Sequence, residues 1–166
     1  MHQTGVKILI LLFVTKFCFA LPDDRTQIMQ LSAGSADLDQ QNHRGVYLTD
    51  VKLDQGTTHI RAAKAVTIGN SKNQLIKAVI HGNNDTQAHY WTTTDTKKEP
   101  MHAFADTIYY YPIQHLIKLL GNARVEQGDD SFSAHQITYD TVRQHVVSKG
   151  DGQGPTMIVI HPGKNP

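Results

Sequence analysis

Apolar and polar residues alternate with a period of two over several short stretches of the chain. Thr58, Ile60 and Ala62 share one side of an extended backbone, and the same register runs on to Val66 and Ile68. Ile76, Ala78 and Ile80 repeat the pattern, as do Thr156, Ile158 and Ile160. Successive side chains of a strand point to opposite faces, so each run offers one apolar face to an interior. Turn clusters separate the runs: Asp54-Gln55-Gly56, Gly69-Asn70-Ser71, Gly82-Asn83-Asn84-Asp85, Gly121-Asn122 and Gly128-Asp129-Asp130. Strand-length segments punctuated in this way predict an all-β sandwich, barrel or jelly roll. Residues 113–120 have a helical composition, but Pro112 and Gly121 bracket them too closely, and the stretch predicts a strand. One short helical turn is expected within residues 23–30.

The pattern occurs twice. With Ala33 set against Ala105, an offset of 72 holds without gaps over a long stretch. Asp50-Val51-Lys52-Leu53-Asp54-Gln55-Gly56 then lies over Asn122-Ala123-Arg124-Val125-Glu126-Gln127-Gly128, and Ile60-Arg61-Ala62 over Phe132-Ser133-Ala134. Each copy is followed by a return segment, Ile76 to Gly82 in the first and His145 to Gly150 in the second. A fixed period of this kind marks one structural unit used twice. The repeats cover about residues 27–98 and 99–162 of a single domain over residues 21–166.

The ordered set of pieces carries a resemblance. Gln27-Ile28-Met29-Gln30-Leu31-Ser32-Ala33, Val51-Lys52-Leu53-Asp54-Gln55-Gly56, Lys64-Ala65-Val66, Val79-Ile80-His81-Gly82, Gly121-Asn122-Ala123 and Ile137-Thr138-Tyr139 stand in family order. Together they resemble the organic-solvent-tolerance N-terminal repeat of the LptA family of periplasmic lipopolysaccharide transport proteins. Two departures stand out: His43-Arg44-Gly45 interrupts an apolar strand, and Thr49-Asp50 replaces the usual Gly-Asn. The resemblance implies an open, twisted antiparallel β-jelly roll whose apolar groove accepts the acyl chains of lipopolysaccharide. It implies no enzyme activity and no cofactor. The implied partners are an inner-membrane-anchored LptC-like relative, the N-terminal domain of an LptD-like outer-membrane translocon, and further copies joined end to end. The expected role is the soluble periplasmic bridge of a Gram-negative bacterium.

Composition adds a leader. Lys7 precedes an uninterrupted apolar run over residues 8–14, and Cys18-Phe19-Ala20 ends in the small-residue pattern of a cleavage site, so residues 1–20 read as a secretory signal. Cleavage would remove the sole cysteine and leave 14 basic against 15 acidic residues. Near-neutral charge gives no reason to expect nucleic acid as a partner. Nine of the ten histidines lie beyond residue 20, but none shows the short His-x-His or His-x3-His spacing of a metal site. Asp23-Asp24 and Asp129-Asp130 sit in turn-like or terminal sequence and read as solvated pairs rather than acid/base catalysts. Asn84-Asp85-Thr86 reads as an exposed turn, and Tyr109-Tyr110-Tyr111 as alternate tyrosines, one inward and two outward.

Alternation, repeat and resemblance combine into named expectations. Leu31, Leu53, Ile60, Ile80, Phe104, Ile108, Val125, Phe132 and Ile158 are expected to face the interior and line the acyl groove. Thr156, Met157, Ile158, Val159 and Ile160 carry no charge, glycine or proline, and Pro162-Gly163-Lys164 follows only beyond them. An unprotected edge strand of this kind calls for a regular partner. The complementary edge is expected at Gln27, Ile28, Met29 and Leu31, giving a head-to-tail contact that does not close on itself. The competing reading is a structural envelope module in which the same repeats pack shut without a lipid cavity. A carbohydrate-binding sandwich fits less well, since Trp91 is the lone tryptophan.

Overall fold

The computed structural model describes residues 24–93, 95–150 and 154–161. The expected leader with Cys18, and Pro162-Gly163-Lys164, lie outside them. Strands in chain order are β1 (Met29–Ser32), β2 (Ser35–Asp39), β3 (Arg44–Gln55), β4 (Thr58–Gly69), β5 (Leu75–His81) and β6 (Ala88–Thr92). The second set is β7 (Met101–Ala105), β8 (Thr107–Tyr111), β9 (Leu116–Gln127), β10 (Asp130–Asp140), β11 (His145–Lys149) and β12 (Met157–Val159). Adding 72 carries β2 onto β8 and β3 onto β9, and it matches the starts of β1 and β7 and of β4 and β10. The predicted helical turn is a single 3-10 turn, Asp24–Thr26, and a second one, Pro112–Gln114, precedes β9. Ile113 therefore belongs to a turn, and the predicted strand starts at Leu116 and runs on to Gln127.

Every strand pairing is antiparallel, and four long strands serve two layers. In one layer β2 meets residues 44–48 of β3, then residues 64–69 of β4, β5, β8, residues 116–120 of β9, residues 136–140 of β10, and β11. In the other, β1 meets residues 52–55 of β3, then residues 58–62 of β4, β6, β7, residues 124–127 of β9, residues 130–134 of β10, and β12. The result is the expected β-jelly roll, its layers joined where the long strands bend.

The bends lie at corresponding places in the two repeats. Thr49 and Asp50 have φ of +67° and +49°; Gly121 and Asn122, 72 residues on, have +78° and +46°. At each bend two residues oppose one: Thr49 and Asp50 stand against Ala63, Gly121 and Asn122 against His135. Such bulges turn a strand sharply. The two-residue side keeps its inward parity, whereas the one-residue side changes parity. That is why Thr58 and Ile60 face inward at the start of β4, but Ala65 and Thr67 do so further on. The sequence register that carried Thr58 and Ile60 through to Val66 and Ile68 thus breaks at Ala63, leaving Ile68 exposed. Ile76, at the outer end of β5, is likewise exposed, while Ala78 and Ile80 are buried. The interruption at His43-Arg44-Gly45 does not prevent β3 from starting at Arg44.

The Gln-Gly turns also share one construction. Gly56 and Gly128 take φ of +58° and +60° in two-residue loops between long strands. Gln55 Nε2 donates to the Gln27 carbonyl at 3.1 Å, and Gln127 Nε2 to the Glu99 carbonyl at 2.9 Å, again 72 residues apart. Each glutamine ties down the chain just before β1 or β7.

A β-branched residue at positive φ is strained, and Thr49 sits where the second repeat has glycine. Thr49→Gly is expected to raise the unfolding free energy by about 0.5–1 kcal/mol, the left-handed penalty less the extra chain entropy of glycine. Gly121→Thr should do the reverse and more, since any Cβ there meets the Asp106 carboxylate. Urea unfolding of both variants checks the pair; a destabilised Thr49→Gly would refute the strain argument.

Candidate functional site

Both layers turn an apolar face to a shared interior. Val51, Leu53, Ile60, Tyr90, Met101, Ala103 and Val125 come from one, Ile80, Ile108, Tyr110, Ile117, Leu119, Ile137 and Tyr139 from the other. The buried polar residues among those described are Gln55, Thr58, Thr67 and Thr92, and none is charged. The Tyr90 phenol is enclosed next to Thr58 and Thr92, and burial pushes its pKa up. Beside it, Asp24 accepts from the Thr57 amide at 2.8 Å and from the Thr58 hydroxyl at 2.6 Å, closing that end of the layer.

Of the nine residues expected inside, Leu53, Ile60, Ile80, Ile108 and Val125 are buried, and Leu31 and Phe132 are half-buried against the same core. Phe104 is a correction, whereas Ile158 shares the inward face of Phe132 but stands uncovered. In β7 the inward positions are Met101, Ala103 and Ala105, so strand parity sends Phe104 to the outer face, and ring size does not decide the side. Ile158 pairs with Phe132 on the last strand and is exposed, because the described residues provide nothing beyond that edge. Tyr110 points inward and Tyr109 and Tyr111 outward, where Lys77 lies over both outer rings.

The interior opens at the edge formed by β1 and β2. Met29, Leu31, Leu38, Tyr47 and Leu75 line a cleft of about 540 Å³ there, with His43 and Arg44 at its rim. A neighbouring cleft of about 470 Å³ runs from Met29 and Gln55 to Leu75 and Ile113. Gln27 and Ile28, just before β1, are exposed. At the opposite edge Phe132, Ala134 and Val146 carry the core outward to β11 and β12. Met157, Ile158 and Val159 are all exposed, flanked by exposed Thr156 and Ile160. Among the described residues β1 pairs only with β3, and β12 only with β10.

The outer face carries a stripe that sequence spacing did not reveal. Cross-strand register brings His59, Trp91 and His102 into one row and Arg61, His89, Phe104 and Arg124 into the next. His89 stacks on Phe104 at 4.2 Å and on Trp91 at 4.6 Å, and its Nε2 lies 3.0 Å from His102 Nδ1. Arg61 covers Trp91, Arg124 covers Phe104, and Asp54 holds Arg61 at 2.9 Å and His59 at 2.6 Å. The histidines read as scattered are thus partly gathered by strand pairing, though no three metal-binding side chains converge among the described residues. A cleft of about 760 Å³ beside the stripe is lined by Arg61, His89, Phe104, Asn83 and Thr86, outside the apolar interior.

Burial, then the nearby charges of His102 and Arg61, lowers the His89 pKa to about 4. The folded state therefore favours neutral His89, and the unfolded chain binds its proton first. Stability should be complete above pH 6.5 and fall as pH drops from 6.5 towards 4. Partial burial opposes ionisation of Asp54, but bonds from His59 and Arg61 outweigh it, so its contribution is lost only below 3.8. His89→Phe, which keeps a flat ring between Trp91 and Phe104, should flatten the pH dependence of the unfolding midpoint between 4 and 6.5. An unchanged slope would place the titration elsewhere.

Known proteins share this arrangement. The sequence profile of the LptA/(LptD N-terminal domain) LPS transport protein family matches residues 30–145. The chain is 33% identical over 148 residues to the lipopolysaccharide export system protein LptH of Pseudomonas aeruginosa, covering 89% of this chain and 82% of that one. It is 27% identical to LptA of Escherichia coli K12, over 86% of this chain and 76% of the relative. The crystal structure of P. aeruginosa LptH, described as the LptA-homologous periplasmic component of the lipopolysaccharide transport device, superposes with a TM-score of 0.77 and 28% identity. It covers 85% of this chain and 100% of that one. Fold, repeat and sequence agree: the chain belongs to the LptA/LptD N-terminal domain family of lipopolysaccharide transport proteins.

Proposed function

We propose that the chain is a periplasmic carrier that holds the acyl chains of lipopolysaccharide between its two layers and passes the molecule towards the outer membrane. The supporting observation is an interior without buried charge that continues past the fully buried centre to half-buried apolar residues at both open edges, Met29, Leu31 and Tyr47 at one, Phe132 and Val146 at the other. Covering side chains of this size is worth about 1.5–3 kcal/mol each, so a few suffice to hold a fatty chain. The layers are joined along the bends, and acyl chains would enter by parting them on the side away from Thr49 and Gly121. On this reading successive copies join head to tail, β12 to β1, with an LptC-like protein and the N-terminal domain of an LptD-like translocon at the ends.

A second reading, a closed module that links envelope proteins, is favoured by one observation. Ile60, Ile80, Ile108 and Ile117 have essentially no solvent exposure, so the centre is already filled. Photo-crosslinkers separate the two. Groups at Leu31 and Phe132 should label added lipopolysaccharide, whereas groups at the outward Phe104 and Lys77 should not. Equal labelling at all four, or none at the first two, refutes the carrier.

Salt gives an independent check. With the interior uncharged, the phosphate groups remain at the rim near such residues as Arg44, where attraction is screened. Raising ionic strength from low to physiological should weaken binding by less than about twofold. A many-fold loss would show that charge, not acyl burial, dominates.

A further inference from the structure

We propose that the outer face of the layer centred on β4, β5, β8 and β9 is a docking surface for an anionic lipid membrane. The proposal goes beyond the carrier reading and does not depend on it, since this face lies on the far side of the layer from the interior.

An antiparallel sheet with one buried face ordinarily turns polar side chains outward. This layer departs from that rule. Strand register lines up Val46, Val66, Val79 and Tyr109 as one outward row across β3, β4, β5 and β8. On one flank Ile68 stands opposite Lys77, and Tyr111 opposite Leu116. On the other, a row passes from Leu48 through Lys64, His81 and Thr107 to Leu120. Leu48, Ile68 and Leu120 are exposed, and Val46, Val66 and Val79 are partly so. A contiguous apolar patch on an outer face marks a place of contact.

Charge selects the partner. Lys64, Lys77 and Lys118 rise from the patch, and no outward position of the four central strands in this layer carries a carboxylate. The acids of the face, Asp37 and Asp39 on β2 and Asp140 on β10, stand on strands outside those four. No ion pair among the described residues engages the three lysines. Instead, Lys77 Nζ lies 5.3 Å from the Tyr109 ring and 5.8 Å from Tyr111, and Lys118 Nζ lies 5.7 Å from Tyr111. The outer face of the other layer is the contrast, since Asp54 and Glu126 neutralise Arg61 and Arg124 there. One face compensates its own charge; the other sets positive charge among apolar side chains.

An anionic bilayer complements each component. Headgroups meet the ammonium groups, tyrosine rings suit the level between headgroup and acyl chain, and the aliphatic side chains cover apolar area below. Apolar burial and attraction to anionic lipid together hold proteins that lie on a membrane without crossing it. A second copy of the same face would instead set lysine against lysine. The attraction sums several contacts with a lipid array, so a lone lipopolysaccharide molecule, meeting one ammonium group at a time, is not held.

Sedimentation with vesicles tests the face. The exported protein, without the expected leader, is mixed at low salt with vesicles of phosphatidylcholine alone, or of phosphatidylcholine and phosphatidylglycerol in equal parts. Binding is expected to the mixed vesicles and little to the zwitterionic ones, and it should fall many-fold at physiological ionic strength. Lys64→Gln with Lys118→Gln should lower it about tenfold or more, each cation near an anionic surface being worth roughly fivefold. Lys64→Arg with Lys118→Arg should retain it, while Lys97→Gln with Lys98→Gln, the same charge loss between β6 and β7, should change it less than about twofold. Ile68→Gln with Leu120→Gln should weaken it several-fold at unchanged charge. Urea midpoints show that each variant is folded. Equal loss in the two lysine-to-glutamine pairs overturns the proposal. Binding that is alike on both vesicles and indifferent to salt would be acyl capture by the interior, which overturns the face and leaves the carrier standing. No binding to mixed vesicles also overturns it; if Ile68→Gln with Leu120→Gln then alters the oligomeric state, the face belongs to a second copy.

Discussion

Everything in this fold depends on making a strand change layers without breaking. β3, β4, β9 and β10 are each long enough to belong to both layers, and each passes between them at a bulge in which two residues oppose one. The left-handed backbone at Thr49-Asp50 and Gly121-Asn122 makes the turn, and backbone bonds from Gly34 to Thr49 at 2.7 Å and from Asp106 to Gly121 at 3.0 Å hold it. The second bend is latched further by Asn122 Nδ2 donating to Asp106 at 2.9 Å. Without these bends the same strands would form one wide sheet with an exposed apolar face. With them, the face folds onto itself and becomes an interior.

Much of this was legible because strand physics is local. Period-two alternation, the paired Gln-Gly turns and the 72-residue offset give the strand-built class, the turns that join β3 to β4 and β9 to β10, and the equivalence of the two halves. Parity was lost where one residue stands against two: the exposure of Ile68 follows from Ala63, which carries no marker of its own. Phe104 shows the other failure. The offset aligns it with Ser32 and aligns Ala103 with Leu31, so the repeat already placed the small residue inside; apolar size pointed the wrong way. The histidine and tryptophan stripe was hidden for a different reason. His59, His89 and His102 are far apart in sequence and meet only through the β4–β6 and β6–β7 registers.

The two faces of the layer formed around β6 and β7 have separate physics. Inside, Tyr90, Ala103 and Val125 exclude water and carry no charge. Outside, rings and guanidinium groups stack across four strands, with Asp54 and Glu126 neutralising Arg61 and Arg124. Stacked cross-strand pairs of this kind each add a fraction of a kcal/mol to the pairing beneath them. They lie directly over the seam where the repeats meet, so the outer stripe reinforces the place at which the two halves of the molecule could otherwise separate.

That seam is covalently bridged by the short connection from Thr92 to Met101. A junction whose halves share a chain forms at an effective concentration set by the tether, in the millimolar range for short linkers, whatever the amount of protein present. Among the described residues β1 and β12 each pair on one side alone, and those edges have no such tether. If they join by the same strand pairing, they do so only as fast and as often as molecules meet. In such a stack, fusing two repeats in one chain would make every second seam permanent and every other one reversible. Its length would then be a function of supply, and it could be dismantled without unfolding any of its parts.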